Sequence, residues 1–411
     1  MLFQKPTTMK YNFFVKYIFA ALLANCIAFG LSAQRDTLDN GITLSLITGS
    51  PGTELYSVFG HSAIRVRNVH TRQDILYNYG TFDFNTPNFY WKFLRGKLPY
   101  MLSIDRTDDL ARYYQLENRS LTEQLFDLTL QQEVALLAYL EWNYQPDNRY
   151  YLYDFFYDNC ATIIRDVLEQ QFNLQYNNDT ATRDITFRQL LDEYLQDMPW
   201  SDFGIDLVLG LPADKKANFR NQMFLPDYLS SNLAQATLDG KPLLQPAQLI
   251  QPRADLAAPP HRFTPMLLFV LLALLAVAIT FSKNRRAKDI FDLVTLSICG
   301  IAGLFLTFMW LGTDHIATKW NWNVLWLNPL CLVLVAGILR RADWARWAFA
   351  IYATILWLLL LTWGWFPQQF NTAIIPILIS LIARSMDREG VVFGIIFAKF
   401  NRHSNIANAK P

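Results

Sequence analysis

The chain has 411 residues, a formal net charge of +1 at pH 7, and a hydrophobic content of 52%. This length allows two domains, and the near-neutral charge argues against a nucleic-acid or strongly acidic partner. No glycine-rich phosphate loop and no basic–aromatic patch is present, so nucleotide and nucleic-acid binding are not expected.

Residues 1–33 have the pattern of a secretory signal. Three lysines precede an uncharged apolar run at 17–31, as in the basic and hydrophobic regions of signal peptides. Cleavage after Ala33 and retention as an N-terminal anchor are the two alternatives. Both deliver the following segment outside the cytoplasm.

Residues 34–235 predict a small α+β domain. Alternating or apolar runs predict strands at 42–47, 56–66 and 75–84. We expect the second and third strands to form a hairpin across the polar turn 68–74. Apolar periodicity predicts helices at 121–142, 160–172 and 187–195. Few strands, several helices and an antiparallel hairpin are typical of the α+β class.

Residues 236–264 are rich in proline, and we expect a linker with no regular element. About five apolar runs beyond it predict an all-α, multi-span membrane domain over 265–400. These runs lie at 265–281, 290–311, 324–339, 345–366 and 372–383.

The charges of the loops predict the orientation. Basic clusters at 284–288, 340–346 and 384–388 should be cytoplasmic by the positive-inside rule. The loops between them, and the exported domain, should lie on the other side. We therefore expect a multi-pass protein of the inner (cytoplasmic) membrane with its soluble domain in the periplasm.

Cys160 is the one cysteine of the exported domain, and it begins a predicted helix. The positive end of the helix dipole stabilises a thiolate there. With His61 in a strand-like run, it matches the minimal pattern of a thiol nucleophile and its base. The alternatives are a small buried cysteine and a polar strand end.

A hairpin symmetric about Thr71 would pair His61 with Thr81. Its neighbours on the same face would then be Tyr79 and Asp83, and either could orient the imidazole. A metal site is poorly supported, because Cys160, His61 and His70 are the only soft ligands of the domain. We expect no metal and no cofactor.

Several segments resemble the exported domain of the Lnb family of Gram-negative lipoprotein N-acyltransferases. They are residues 60–66, 77–84, 159–166 and 223–229, together with Thr313-Asp314-His315 between the second and third apolar runs. The resemblance implies a permuted papain-like fold, similar to NlpC/P60 peptidases and lecithin:retinol acyltransferases. It also implies Cys160 as nucleophile and His61 as base.

The resemblance further implies the reaction. The thiolate takes an acyl chain from a phospholipid as a thioester and passes it to the N-terminal amine of a lipoprotein. The expected partners are thus a phospholipid donor, a lipoprotein acceptor and the membrane. Asn159, beside the nucleophile, and His315, at the outer face, are candidate substrate-binding residues, with a structural role as the alternative for His315.

Two other functions remain open at this point. With water as the second acceptor, the same residues would make a peptidoglycan amidopeptidase or a lipid hydrolase. A degenerate domain would instead serve as a non-catalytic membrane receptor or scaffold.

Overall fold

A computed structural model describes residues 41–176, 184–254 and 263–390; the predicted signal at 1–33 lies outside them. The described chain forms a sheet-rich N-terminal domain and a helical C-terminal region. At this level the predicted combination of a mixed α and β domain with an all-α region is confirmed.

Ten strands occur in the described part of the N-terminal domain. They are β1 (Ile42–Gly49), β2 (His61–Asn68), β3 (Gln73–Phe82), β4 (Pro99–Arg106), β5 (Leu121–Leu125), β6 (Tyr150–Leu152), β7 (Gln175–Tyr176), β8 (Ala236–Leu238), β9 (Lys241–Pro242) and β10 (Gln248–Gln251). Seven of them form an antiparallel sheet in the order β10-β5-β1-β2-β3-β4-β6. The remaining three form a small sheet in the order β7-β8-β9.

The helices of this domain lie around the large sheet. They are α1 (Phe89–Leu94), α2 (Thr107–Leu116), α3 (Leu130–Tyr144), α4 (Cys160–Gln171), α5 (Phe187–Leu195), α6 (Pro199–Val208), α7 (Phe219–Gln222) and α8 (Pro226–Leu233). Helices α3, α4 and α8 pack on one face of the sheet, and α2 packs on the other.

The helix α4 is amphipathic, and its packing positions the first residue of the helix. Ile164, Val167 and Leu168 are buried against sheet residues such as Leu46 and Ile64. Burying aliphatic side chains of this size contributes about 1.5–3 kcal/mol each. The start of α4 is thereby fixed beside strands β2 and β3.

Two predictions about secondary structure are wrong. Residues 121–142 are not one helix: β5 pairs with β1, and the helix begins only after a capping box formed by Thr129 and Gln132. Residues 236–251, predicted as linker, contain β8, β9 and β10. Proline is tolerated there because Pro242 is exposed at the edge of the small sheet.

The C-terminal region contains five α-helices within the described residues. They are α9 (Pro265–Phe281), α10 (Arg285–Leu311), α11 (Cys331–Arg340), α12 (Ala345–Leu361) and α13 (Ile374–Glu389). By length and composition, α10 is the helix among them that can cross a membrane unaided, whereas α9, α11 and α12 are shorter apolar helices. The run predicted to begin at residue 324 starts as a 3-10 turn, because Pro329 prevents a continuous helix.

The three basic clusters meet at one end of this helical region. Arg285 of the first, Arg341 of the second and Arg388 of the third line a single cavity. Nearby, Arg384 makes a buried ion pair with Asp292 at 2.7 Å. The three clusters thus lie at the same end, as the predicted orientation requires, and their cytoplasmic location stays a prediction.

The opposite end of the region is attached to the N-terminal domain. Asn321 donates to the carbonyls of Leu207 and Val208 at 2.8 and 3.0 Å, so a loop residue caps the C-terminus of α6. Asn323 donates to the carbonyls of Asp206 and Leu207, both at 3.2 Å. These bonds fix the soluble domain above the end of the helices.

Candidate active site

Cys160 occupies the first position of α4, as the sequence predicts. Asn159 is the N-cap, and its side-chain oxygen accepts the backbone N–H groups of Ala161 and Thr162, both at 2.9 Å. The Thr162 hydroxyl in turn accepts the Asn159 N–H at 2.7 Å, which completes a capping box. The local sequence therefore starts the helix at the cysteine.

The surroundings of Cys160 stabilise its thiolate. Burial alone would raise the pKa of the thiol, but the charge of His61, a hydrogen bond to it and the backbone N–H groups of Ser62 and Ala161 outweigh burial and lower the pKa. Gly80 on β3 lies beside Cys160: a Cβ on Gly80 would make an ordinary van der Waals contact of 3.7 Å with the Cys160 Cβ. Gly80 also has φ +91, a conformation that favours glycine.

His61 begins β2 and is the partner of the thiol. Burial would lower the pKa of the imidazole, whereas the charge and hydrogen bond of Cys160 and a hydrogen bond to Asn78 raise it. The net effect is an increase. Both shifts favour the thiolate–imidazolium form of the two groups, which is the reactive form when a cysteine acts as a nucleophile.

Asn78 orients the imidazole. Its Nδ2 donates to Asp105 Oδ2 at 2.8 Å, and this bond fixes the amide orientation because a carboxylate only accepts. Its Oδ1 therefore faces His61 and accepts the Nε2–H. The other ring nitrogen, Nδ1, is left for the thiol. Sequence reasoning missed Asn78, although an asparagine within the apolar strand 75–79 was an available signal.

The predicted hairpin register explains the miss. Strands β2 and β3 pair with Arg65 opposite Leu76, whereas symmetry about Thr71 required residue 77 there. The register is thus wrong by one residue. Because side chains alternate between the faces of a strand, this shift brings Asn78, and not its neighbours, to the face of His61.

The two predicted orienting residues have other partners. Tyr79 is buried in the core and donates its hydroxyl to Asn143 of α3 at 2.6 Å. Asp83 lies beyond β3 and accepts the backbone N–H of Asn85 at 2.8 Å. The structure does not bring either side chain to His61.

The two candidate substrate-binding residues are also engaged within the protein. Besides its cap, Asn159 donates to the carbonyls of Phe155 and Phe224 at 2.9 and 2.8 Å. His315 lies against α1, where its Nε2 is 3.2 Å from the Phe93 carbonyl. Their positions favour structural roles: a helix cap for Asn159 and domain docking for His315.

Two tyrosines of the segment before α4 also surround the thiol. Burial, reinforced by the nearby Cys160 charge, raises the pKa of both Tyr151 and Tyr153 well above the ordinary range. Their hydroxyls stay protonated at neutral pH. They are neutral aromatic neighbours of the Cys160 thiol.

Carboxylates gather elsewhere, between α5 and α6. Oxygens of Asp192, Asp202 and Asp206 lie within 4.8 Å of one another. Burial and mutual repulsion raise the pKa of Asp192 to about 7 and that of Asp202 to about 6. Arg188, paired with Asp206 at 2.7 Å, offsets part of the charge. Asn371, from the helical C-terminal region, donates to Asp202 and Asp206 at 2.9 and 3.0 Å, so these carboxylates lie at the junction between that region and the N-terminal domain.

Family models match two segments of the chain. Residues 33–193 match the Lnb N-terminal periplasmic domain, and residues 258–388 match the Lnb transmembrane domain. The chain belongs to the Lnb family. No curated protein and no solved structure matches it.

Membership of the Lnb family gives the site its setting. The N-terminal domain, with Cys160 and His61, is periplasmic, and the helical region is a transmembrane domain. The chain is therefore a membrane protein with a periplasmic part. The family suggests an enzyme that modifies lipoproteins.

Proposed function

We propose that this Lnb-family chain transfers an acyl chain from a phospholipid, through a thioester on Cys160, to the N-terminal amine of a lipoprotein. The observation that supports it most is the pairing of Cys160, at the start of α4, with His61, at the start of β2. This pair lies in a periplasmic domain attached to a transmembrane domain. Both substrates are held in a bilayer, so the attached site meets them at high effective concentration.

In the first half-reaction, the Cys160 thiolate attacks the ester carbonyl of the phospholipid. The tetrahedral oxyanion forms beside the N-terminus of α4, where the positive end of the helix dipole favours negative charge. When the carbon–oxygen ester bond breaks, the His61 imidazolium gives its proton to the departing lysophospholipid oxygen. The products are a thioester and a neutral imidazole.

In the second half-reaction, the α-amine of the lipoprotein's N-terminal cysteine attacks the thioester carbonyl. Neutral His61 accepts a proton from the amine, the carbon–sulfur bond breaks, and the thiolate–imidazolium pair is restored. The lipoprotein leaves with a new amide bond. Asn78 keeps the imidazole in one orientation during both transfers.

The same proposal includes the architecture expected from the resemblance. The base strand precedes the nucleophile helix, as in a permuted papain-like fold. The five helices cross the inner membrane in a multi-pass arrangement, with the basic cavity on the cytoplasmic side and the loop 312–323 on the periplasmic side. The shorter helices need flanking residues to complete their spans.

Thioester trapping tests the proposal. The full-length protein in nanodiscs is incubated with a phospholipid of known chain length, and peptides are analysed by mass spectrometry. We expect one acyl chain on the Cys160 peptide and none in Cys160→Ala. Addition of a diacylated lipopeptide with a free amine should discharge the chain onto that amine.

The other candidate functions give different results. Release of free fatty acid, with no acylated lipopeptide, would indicate a hydrolase. A Cys160→Ala protein that still supports lipoprotein maturation in cells would indicate a non-catalytic role. His61→Ala should slow thioester formation by about 10²–10⁴-fold, the usual contribution of a positioned acid–base group.

A further inference from the structure

Aromatic side chains form a continuous series of contacts between the nucleophile and the transmembrane domain. We call them the aromatic surface: Tyr153, Tyr100, Phe82, Phe84, Phe89 and Phe93. The ring centroids of Tyr153 and Tyr100 are 4.5 Å apart, and those of Tyr100 and Phe82 are 5.2 Å apart. Phe82 lies 5.6 Å from Phe89, the first residue of α1.

The nucleophile lies at one end of the aromatic surface. Gly80, two residues before Phe82 on β3, lies against the nucleophile, since a Cβ on Gly80 would be 3.7 Å from the Cys160 Cβ. The Cys160 charge also contributes to the raised pKa of Tyr153. Tyr100, on β4, stacks on the ring of Tyr153 and is partly buried. An apolar chain lying along these rings would reach the sulfur.

The other end is held against α10. Trp91 stacks on Phe308, near the end of that helix, at 5.9 Å. The Asp314 N–H donates to the Arg95 carbonyl at 2.9 Å, and Lys97 pairs with Asp314 at 3.4 Å. Because α10 is the helix long enough to span the bilayer, these contacts place α1 at its outer boundary.

The helix α1 is unusually apolar for one without a buried residue. On α1, Tyr90 is 82% exposed and Phe93 is 51% exposed, and Phe84, in the loop before the helix, is 70% exposed. Exposed aromatic residues grouped at a membrane boundary are typical of contact with lipid. At the end of a transmembrane helix, the lipid in contact with these residues would be that of the surrounding bilayer.

We propose that the aromatic surface binds one acyl chain of a phospholipid in the periplasmic leaflet and leads its ester to Cys160. This inference rests on the proposed function and names its donor site. The rings of α1 meet the chain in the bilayer boundary, and Phe82, Tyr100 and Tyr153 cover it as it approaches the sulfur. The six side chains that form the aromatic surface are themselves uncharged, which suits hydrocarbon rather than a head group.

Photo-crosslinking tests the path independently of turnover. Full-length Cys160→Ala protein in nanodiscs is exposed to a phospholipid with a diazirine on one acyl chain, irradiated and mapped by mass spectrometry. We expect crosslinks on α1 and also at Tyr100 and Tyr153. Crosslinks confined to α1 and the transmembrane helices would overturn the proposal, since α1 would then only touch the bilayer.

A chain-length comparison provides a second measurement. Cys160 acylation is followed with p-nitrophenyl palmitate and p-nitrophenyl acetate in detergent. In Phe84→Ala, the palmitate-to-acetate rate ratio should fall about tenfold, because contacts with several methylenes are lost. Trp142→Ala, at an exposed tryptophan on α3, is the matched control and should keep the ratio.

The outcomes separate the two proposals. An unchanged ratio in Phe84→Ala would contradict the acyl-chain site while leaving thioester chemistry in place. If neither ester nor phospholipid acylates Cys160, the proposed function fails, and crosslinks at Tyr100 and Tyr153 would still report an acyl-binding path.

Discussion

At the scale of single residues, the site depends on mutual stabilisation of two charges. Neither Cys160 nor His61 would be ionised so readily in isolation, because burial favours the neutral form of each. Together they compensate one another. Asn78 adds direction rather than charge, since its amide orients the ring without changing the net charge of the site.

The pH dependence of Cys160 alkylation tests the charge pair. A lowered thiol pKa keeps the thiolate at pH values below the ordinary midpoint of about 8.5. A raised imidazole pKa extends the imidazolium to pH values above about 6.5, so the two shifts bring the charged forms toward the same pH range. Iodoacetamide should therefore alkylate Cys160 well below pH 8. His61→Ala should move the alkylation midpoint upward, and an unchanged midpoint would contradict the pairing.

Asn78→Ala tests the orienting role. Without the acceptor for Nε2–H, the imidazole can rotate away from the thiol. We expect kcat for thioester formation to fall by about 10–100-fold with little change in KM, as for loss of a positioning group. Asn85→Ala, in the exposed loop after β3, is the control. Equal losses in both variants, or a large loss of thermal stability, would indicate a structural effect instead.

At the scale of elements, the start of α4 is the critical feature. Asn159 satisfies two backbone N–H groups of the first turn and two carbonyls from other segments. A buried cap of this kind contributes more than a surface cap, because its loss leaves several polar groups without partners. The same residue thus fixes the helix and the position of the thiol.

Asn159→Ala should lower the free energy of unfolding by about 2–4 kcal/mol. Thr129→Ala removes an exposed cap of α3 and should cost about 1 kcal/mol. Denaturant unfolding in detergent, followed by intrinsic fluorescence, compares the two. A loss for Asn159→Ala no larger than that for Thr129→Ala would show that the buried carbonyl bonds contribute little.

At the scale of the whole molecule, polar contacts join the periplasmic domain to the transmembrane domain. Arg188 pairs with Asp206 and Asp214 without exposure to solvent, and Asn371 from the loop before α13 donates to Asp206 at 3.0 Å. Breaking a buried pair of this kind typically costs about 3–5 kcal/mol. The junction therefore holds the N-terminal domain against the ends of the transmembrane helices.

The double variant Asn321→Ala/Asn323→Ala should loosen this junction. It removes four hydrogen bonds from the C-terminal carbonyls of α6. We expect faster amide exchange in α6 and slower acylation from bilayer phospholipid. Thr354→Ala, an exposed position on α12, serves as control. Normal exchange in the double variant would contradict the role of the loop as a cap.

The sequence alone determined the features that depend on local pattern. The apolar runs, the basic clusters and the helix beginning at Cys160 follow from composition, charge and capping within a few residues. Motif order added the family and paired Cys160 with His61. The first group of signals depends only on residues close together in the sequence. The family motifs are recognised by their order along the chain.

Only the tertiary structure decided which side chain faces His61. A one-residue difference in the pairing of β2 and β3 exchanges the faces of β3, and apolar and aromatic residues on both faces left the register open. Likewise, strand β5 and the docking contacts of His315 depend on partners distant in sequence. Register and long-range pairing follow from packing, so the third residue of the site became visible only in the folded chain.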